Sequence, residues 1–219
     1  IGYRQKSEVV IPVKSSVAGT GGRSAISAAA FSDEYLLTGS IDGSVKLWDS
    51  RTLTSGSGLP LGVIPNAHVF GEKISSFAIS KLNSDTFASR STEGTVKLWD
   101  RRNLREAVKI YSDLPTMHSE TSVVFIHDKL VTGTSSGVAV LDCLDETVRR
   151  LIPRTSPIVS VAWNERTDQI LLGSTTGTIE VLYDPERGNG KGVLLMRKSA
   201  SASRIDGEVD ISAESLYNN

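Results

Sequence analysis

Asp42-Gly43-Ser44-Val45-Lys46-Leu47-Trp48-Asp49 is matched 51 residues later by Glu93-Gly94-Thr95-Val96-Lys97-Leu98-Trp99-Asp100. Each stretch sets an acidic residue and a glycine ahead of an alternating run that closes on Trp-Asp. Each therefore reads as a tight turn leading into a β-strand. Weaker copies follow in the same phase at Ser136-Gly137-Val138-Ala139-Val140-Leu141-Asp142 and Thr176-Gly177-Thr178-Ile179-Glu180-Val181-Leu182-Tyr183-Asp184. The turn glycines Gly43, Gly94, Gly137 and Gly177 recur at 51, 43 and 40 residues. A period of this size means one supersecondary unit repeated along the chain.

Two β-type runs precede every copy: Ala25–Phe31 and Tyr35–Ser40, Ile74–Ile79 and Thr86–Arg90, Ser122–Ile126 and Leu130–Thr134, Ile158–Trp163 and Ile170–Ser174. An outer strand after each copy, at Leu61–Ile64, Ala107–Tyr111, Val148–Ile152 and Val193–Met196, completes four strands per unit. Acidic-Gly turn, alternating strand and terminal Trp-Asp together are the signature of a WD-repeat blade, so the expected fold is an all-β, WD-repeat β-propeller. The expected division is 24–64, 65–111, 112–152 and 153–198 for four blades. Residues 1–23, with the run Glu8–Val13, are expected as the outer strand of a preceding blade plus a linker, and 199–219 as a flexible tail. A seven-bladed propeller needs about 280 residues at this period. Four blades of a seven-bladed propeller, a fragment, is therefore the expectation.

With 219 residues, 39% hydrophobic content and a net charge of −1, the composition is that of a globular chain without bias toward nucleic acid or membrane. No apolar run reaches membrane-spanning length, and the N-terminus lacks signal-peptide features. The single cysteine, Cys143, points to a reducing compartment and reads as a small packed side chain rather than a reactive thiol.

No nucleophile elbow, phosphate loop, zinc spacing or paired-carboxylate motif occurs. Gly19–Gly22 lacks the Lys-Ser or Lys-Thr of a phosphate loop. His68, His118 and His127 fall on loops of different blades. The reading is a non-enzyme with no cofactor, no metal and no small-molecule substrate. A blade's buried polar groups need partners, and a network of entry-loop His, strand Ser or Thr, turn acid and strand Trp supplies them. In the second blade these would be His68, Ser89 or Ser91, Glu93 and Trp99. In the first they would be Asp42, Thr38 or Ser40, and Trp48, without a His. His68 and Asp42 are thus structural candidates; a metal ligand at His68 would lack a second His or Cys at useful spacing. Trp48 and Trp99 are core residues first and recognition aromatics second.

Both strong blades read Trp-Asp-x-Arg: Trp48-Asp49-Ser50-Arg51 and Trp99-Asp100-Arg101-Arg102. The tetrapeptide resembles the box by which WD-repeat substrate receptors engage the damaged-DNA-binding adaptor of cullin-4 ubiquitin ligases. Arg51 and Arg102 would then project from one face and donate bidentate hydrogen bonds to carboxylates. The plainer reading is an Arg that pairs with its own Asp or with the next blade.

Particular stretches resemble one family, the gastrulation-defective or WD repeat-containing protein 70 group: Phe87-Ala88-Ser89-Arg90 leading into Val96–Asp100, Leu114-Pro115-Thr116-Met117, Lys129–Thr134, and Gln169-Ile170 with Gly173 and Tyr183-Asp184-Pro185. They occur in family order across roughly residues 24–198. The resemblance implies a nuclear protein with a longer propeller. It also implies a scaffold serving as substrate receptor of a cullin-4 ligase, linked to the DNA damage response and histone H2B monoubiquitination. The alternative is a structural subunit associated with the spliceosome or another ribonucleoprotein assembly. Partners would accordingly be the ligase adaptor or splicing factors, with RNA reached only indirectly or through the tail. The third blade departs from the family at Phe125-Ile126-His127-Asp128, and the first carries an added Ser- and Gly-rich loop, Thr52–Gly62.

Arg90 stands mid-strand where a small uncharged residue is ordinary, and a buried Arg must be paired. It is expected either in an inter-blade ion pair with Glu93 or Glu120, or as an anion-recognising group at the channel mouth beside Glu93, His118 and Glu120.

Overall fold

Antiparallel β-pairing follows the repeat. A computed structural model of the chain describes Val13 and residues 24–53, 59–145 and 149–183. Blade 1 is β1 (Ile26–Phe31), β2 (Tyr35–Ser40), β3 (Val45–Asp49) and β4 (Gly62–Ile64), with a one-turn helix α1 (Ser50–Leu53) after β3. Blade 2 is β5 (Ile74–Ile79), β6 (Thr86–Ser91), β7 (Val96–Asp100) and β8 (Lys109–Tyr111). Blade 3 is β9 (Val123–Ile126), β10 (Lys129–Thr134), β11 (Gly137–Asp142) and β12 (Arg149–Pro153). Blade 4 contributes β13 (Ile158–Asn164), β14 (Gln169–Ser174) and β15 (Ile179–Tyr183). Each sheet runs in chain order, neighbour to neighbour, without crossovers. The expected outer strand at Val193–Met196, the 199–219 tail and all of Glu8–Val13 except Val13 lie outside the described residues.

Strand β1 contacts β5, β5 contacts β9 and β9 contacts β13, so the first strands of successive sheets stand side by side and the later strands lie outward. That is the radial arrangement of a propeller. Alternation along each strand sends side chains to the two neighbouring blades in turn. Among the described residues the core is accordingly three clusters between blades. Leu37, Leu47, Ile74, Phe87 and Trp99 fill the first interface. Ala88, Leu98, Leu114, Leu130 and Leu141 fill the second. Val131, Val140, Ile158, Val161 and Leu172 fill the third.

The acidic-Gly turns follow from glycine's freedom at positive φ: Gly43 and Gly94 adopt φ of 76° and 82°. The Gly43 N–H closes its turn onto the Ser40 carbonyl at 3.2 Å. Each such turn also receives the entry loop of the next blade, His68 N–H donating to Gly43 O and Leu114 N–H to Gly94 O, both at 3.0 Å. Entry loops and acidic turns therefore share one face. The opposite face carries the turns after β1, β5, β9 and β13 and the ends of β3, β7 and β11, because Tyr35 pairs with Asp49, Thr86 with Asp100 and Lys129 with Asp142. Helix α1 occupies the start of the segment expected as loop at Thr52–Gly62. Asp49 caps it, its Oδ1 accepting the Arg51 N–H at 2.9 Å.

Candidate protein-interaction face and the networks behind it

Arg51 and Arg102 occupy equivalent places and make equivalent bonds to their own aspartates, and Arg102 Nε also lies 3.5 Å from Asp85 Oδ2. Arg51 Nη2 lies 3.0 Å from Asp49 Oδ2, with the side chain 87% exposed. Arg102 Nη2 lies 2.7 Å from Asp100 Oδ2, with the side chain 67% exposed. In both, Nε donates to the same aspartate's Oδ1, at 3.2 Å and 3.0 Å. The Arg102 N–H donates to Asp100 Oδ1 at 2.9 Å, as the Arg51 N–H does to Asp49 Oδ1. The Arg102 guanidinium and N–H hold the Asp100 carboxyl down at about 2. Each box is thus a fork of guanidinium on carboxylate, displayed on the face opposite the entry loops. Trp48 and Trp99 are buried beneath it.

Arg101, the variable residue of the second box, ties blades together. Its Nε donates to Asp85 at 2.5 Å and its Nη2 to Glu34 of the first blade at 2.9 Å. Its guanidinium also sits 5.4 Å from the Tyr35 ring centroid, a cation–π contact. The Tyr35 hydroxyl donates to Ser84 O at 2.9 Å.

Behind that face, His68, Ser89, Glu93 and Trp99 form one connected chain. Trp99 Nε1–H donates to Ser89 Oγ at 2.9 Å. Ser89 Oγ and His68 Nε2 are 2.8 Å apart, and His68 Nδ1 and Glu93 Oε1 are 2.5 Å apart. Val69 N–H donates to Glu93 Oε2 at 2.9 Å, and Thr95 Oγ donates to Oε1. Burial pushes the His68 pKa down against the pull of Glu93. The neutral ring with its proton on Nδ1 satisfies every member: Trp99 gives to Ser89, Ser89 to His68, His68 to Glu93. Burial pushes Glu93 the other way, but the bonds from His68, Thr95 and Val69 hold it near 2. Both carboxylate oxygens of Glu93 are therefore engaged by His68, Thr95 and Val69 rather than offered as a channel-mouth contact.

Blade 1 keeps part of the same device. Trp48 Nε1–H donates to Thr38 Oγ1 at 2.8 Å, and Asp42 Oδ1 accepts from Ser44 N at 3.1 Å and Ser44 Oγ at 2.6 Å. In blade 3, Leu114 takes the place of His68 and Leu141 that of Trp99, both fully buried in the second interface. Where the polar network is missing, apolar side chains fill its space.

Arg90 overturns both expectations made for it. It is fully buried between blades 2 and 3, away from the channel mouth, and no carboxylate meets it among the described residues. Its Nη2 donates to Leu114 O at 3.1 Å, while Nε and Nη1 have no partner. Burial pulls the guanidinium down to about 10. His118 and Glu120 lie exposed on the entry loop above it. Cys143 is half-buried against the second interface; burial, reinforced by Asp142 and Asp128, pushes its thiol up to about 12. Among the described residues no cluster of His, Cys, Asp and Glu is able to hold a metal ion.

The family model for a WD domain, G-beta repeat, matches residues 15–49. The chain is 28% identical over 162 residues to the gastrulation defective protein 1 homolog of Drosophila melanogaster, covering 69% of this chain and 24% of that protein. It is 30% identical over 159 residues to WD repeat-containing protein 70 of Bos taurus, covering 67% of this chain and 23% of that one. The chain thus spans about a quarter of the length of the curated relatives it matches. In structure it aligns with the β-propeller domain of Myceliophteria thermophila Cps50 (Swd1) at a TM-score of 0.60 and 16% identity, over 78% of this chain and 55% of that one. The WD-repeat propeller is generally a non-enzymatic scaffold that binds other proteins. In fold the chain is a WD40-repeat β-propeller, and in sequence it is similar to the gastrulation-defective and WD repeat-containing protein 70 relatives.

Proposed function

We propose that the chain is the adaptor-docking part of a nuclear protein-interaction scaffold, a substrate receptor of a cullin-4 type ubiquitin ligase acting in the DNA damage response and histone H2B monoubiquitination. The observation that carries the reading is the paired display of Arg51 and Arg102. Two successive blades present the same Asp-held guanidinium on one face, each mostly in solvent. Exposed ion pairs of this kind are weak and exchangeable, so both guanidiniums can turn to carboxylates of an adaptor at little cost. Arg101 gives the pair a fixed spacing by joining blade 1 to blade 2 through Glu34 and Asp85.

The test is affinity purification of the full-length parent from nuclear extract, wild type against Arg51→Ala with Arg102→Ala. Selective loss of adaptor and cullin supports the reading. An unchanged set of partners dominated by splicing proteins would replace it with a ribonucleoprotein scaffold in which the boxes are blade architecture alone.

A further inference from the structure

A groove of about 210 Å³ opens on the face that carries Arg51 and Arg102, between the inner strands of blades 2, 3 and 4. Its walls are Phe77, Leu82 and Phe125, and its far end is Trp163. The indole is held from two sides. Its Nε1–H donates to Asp168 Oδ1 at 3.1 Å, and the His127 ring meets it edge-on at 5.1 Å and 69°. Both holders adopt left-handed backbone, φ of 54° at His127 and 50° at Asp168, which non-glycine residues rarely take. Both residues stand in hairpin turns, where His and Asp take this conformation more readily than most side chains, and together they fix the orientation of one partly buried aromatic.

The groove already shows what fits it. Lys81 reaches in from the β5–β6 turn, its ammonium 6.0 Å from the Trp163 ring centroid and ion-paired to Glu165. An aromatic face, a carboxylate beside it and apolar walls leading to both suit a long cationic side chain, and the cation that the groove already holds is a lysine ammonium. The ammonium takes the ring and the carboxylate, and the four-carbon stem takes the walls. Lys81 itself is 71% exposed, so its stem leaves those walls largely uncovered. We propose that the groove takes a lysine side chain from an extended segment of a partner protein, with Lys81 as its displaceable internal occupant. The site is separate from the Arg51 and Arg102 boxes, and its test does not depend on the adaptor.

The probe is the end-blocked pentapeptide Gly-Ser-Lys-Ser-Gly against its norleucine counterpart, titrated into the full chain while the Trp163 indole N–H resonance is followed by NMR. That resonance is assigned by its loss in Trp163→Phe. The lysine peptide should shift it and bind about fivefold tighter than the norleucine peptide, the size of one cation–π contact. Lys81→Ala should tighten binding at least about twofold by removing the competitor. Glu165→Gln, at an exposed position that leaves the fold alone, should weaken it. Equal binding of the norleucine peptide would make this a plain apolar groove and overturn the proposal. So would lysine binding indifferent to both Lys81→Ala and Glu165→Gln.

Discussion

Ile74 sits directly on Gly39: a Cβ built on that glycine would come 2.5 Å from the Cβ of Ile74. The entry residue of blade 2 is thereby seated in a notch on the second strand of blade 1. The same notch recurs two interfaces on, between blades 3 and 4, where a Cβ on Gly133 would collide with the Ile158 carbonyl. Between blades 2 and 3 the pairing is exchanged. Arg90 holds the glycine position and the fully buried Thr121 the isoleucine position, with the carbonyls of both bonded by Ser75 Oγ at 3.2 Å and 2.9 Å.

Gly133→Ala should therefore destabilise strongly, by about 3 kcal/mol or more, because the collision is with backbone that cannot rotate aside. Gly173→Ala should be nearly silent by comparison, its Cβ meeting Ser160 Cβ at 3.3 Å. Urea unfolding of the two variants side by side checks this, and equal losses would contradict the notch.

Arg90→Met keeps much of the volume while removing a guanidinium with two unpartnered nitrogens. The expected result is a gain of about 1–2 kcal/mol, since replacing poorly compensated buried charge by apolar packing is commonly stabilising. Chemical denaturation reads it directly. A loss would mean that the single bond to Leu114 O outweighs the desolvation of the cation.

Ser89→Ala breaks the polar chain at its middle and leaves both Trp99 Nε1–H and His68 Nε2 without their partner. A cost of about 2–3 kcal/mol follows from stranding two buried groups. Thr38→Ala in blade 1 strands the bond of one, Trp48, and should cost about half as much. The ratio of the two losses is the measurement.

Stability should fall on acidification in two stages. His68 is depressed in the fold, so its contribution is complete above the unfolded value near 6.5 and is lost as pH drops below it. Glu93, held near 2 against an ordinary 4.5, adds a second loss below about 4.5. Thermal melts between pH 7.5 and 4 should show the first stage in wild type and a flatter profile from 6.5 to 5 in His68→Asn. An identical slope in the variant would remove His68 as the cause.

Arg51→Ala with Arg102→Ala should leave the melting temperature unchanged, because both guanidiniums stand mostly in solvent. A folded double variant is what makes the adaptor test interpretable, and a large drop in melting temperature would show the boxes to be structural.

Blade architecture was legible in the sequence because it rests on local periods. Acidic-Gly turns and alternating strands recur at each repeat, and the observed strands begin and end within a few residues of the runs that predict them. His68, Glu93 and Trp99 could also be picked out, since a Trp-Asp strand with an upstream His carries its own register. Ser89 rather than Ser91 as their bridge was not, because both lie on β6 and only the blade-to-blade packing says which faces Trp99.

What the sequence by itself determined was thus the repeat, its strand order and the two Trp-Asp-x-Arg boxes, all set by residues within one turn or hairpin. Tertiary structure alone decided what the blades do to one another. It buried Arg90 beside Leu114 with no carboxylate in reach among the described residues, and closed Lys81, Trp163 and Glu165 into one groove although Lys81 and Glu165 are 84 residues apart. Those outcomes depend on which face of each sheet meets the next blade, and such contacts between distant segments leave no period in the chain.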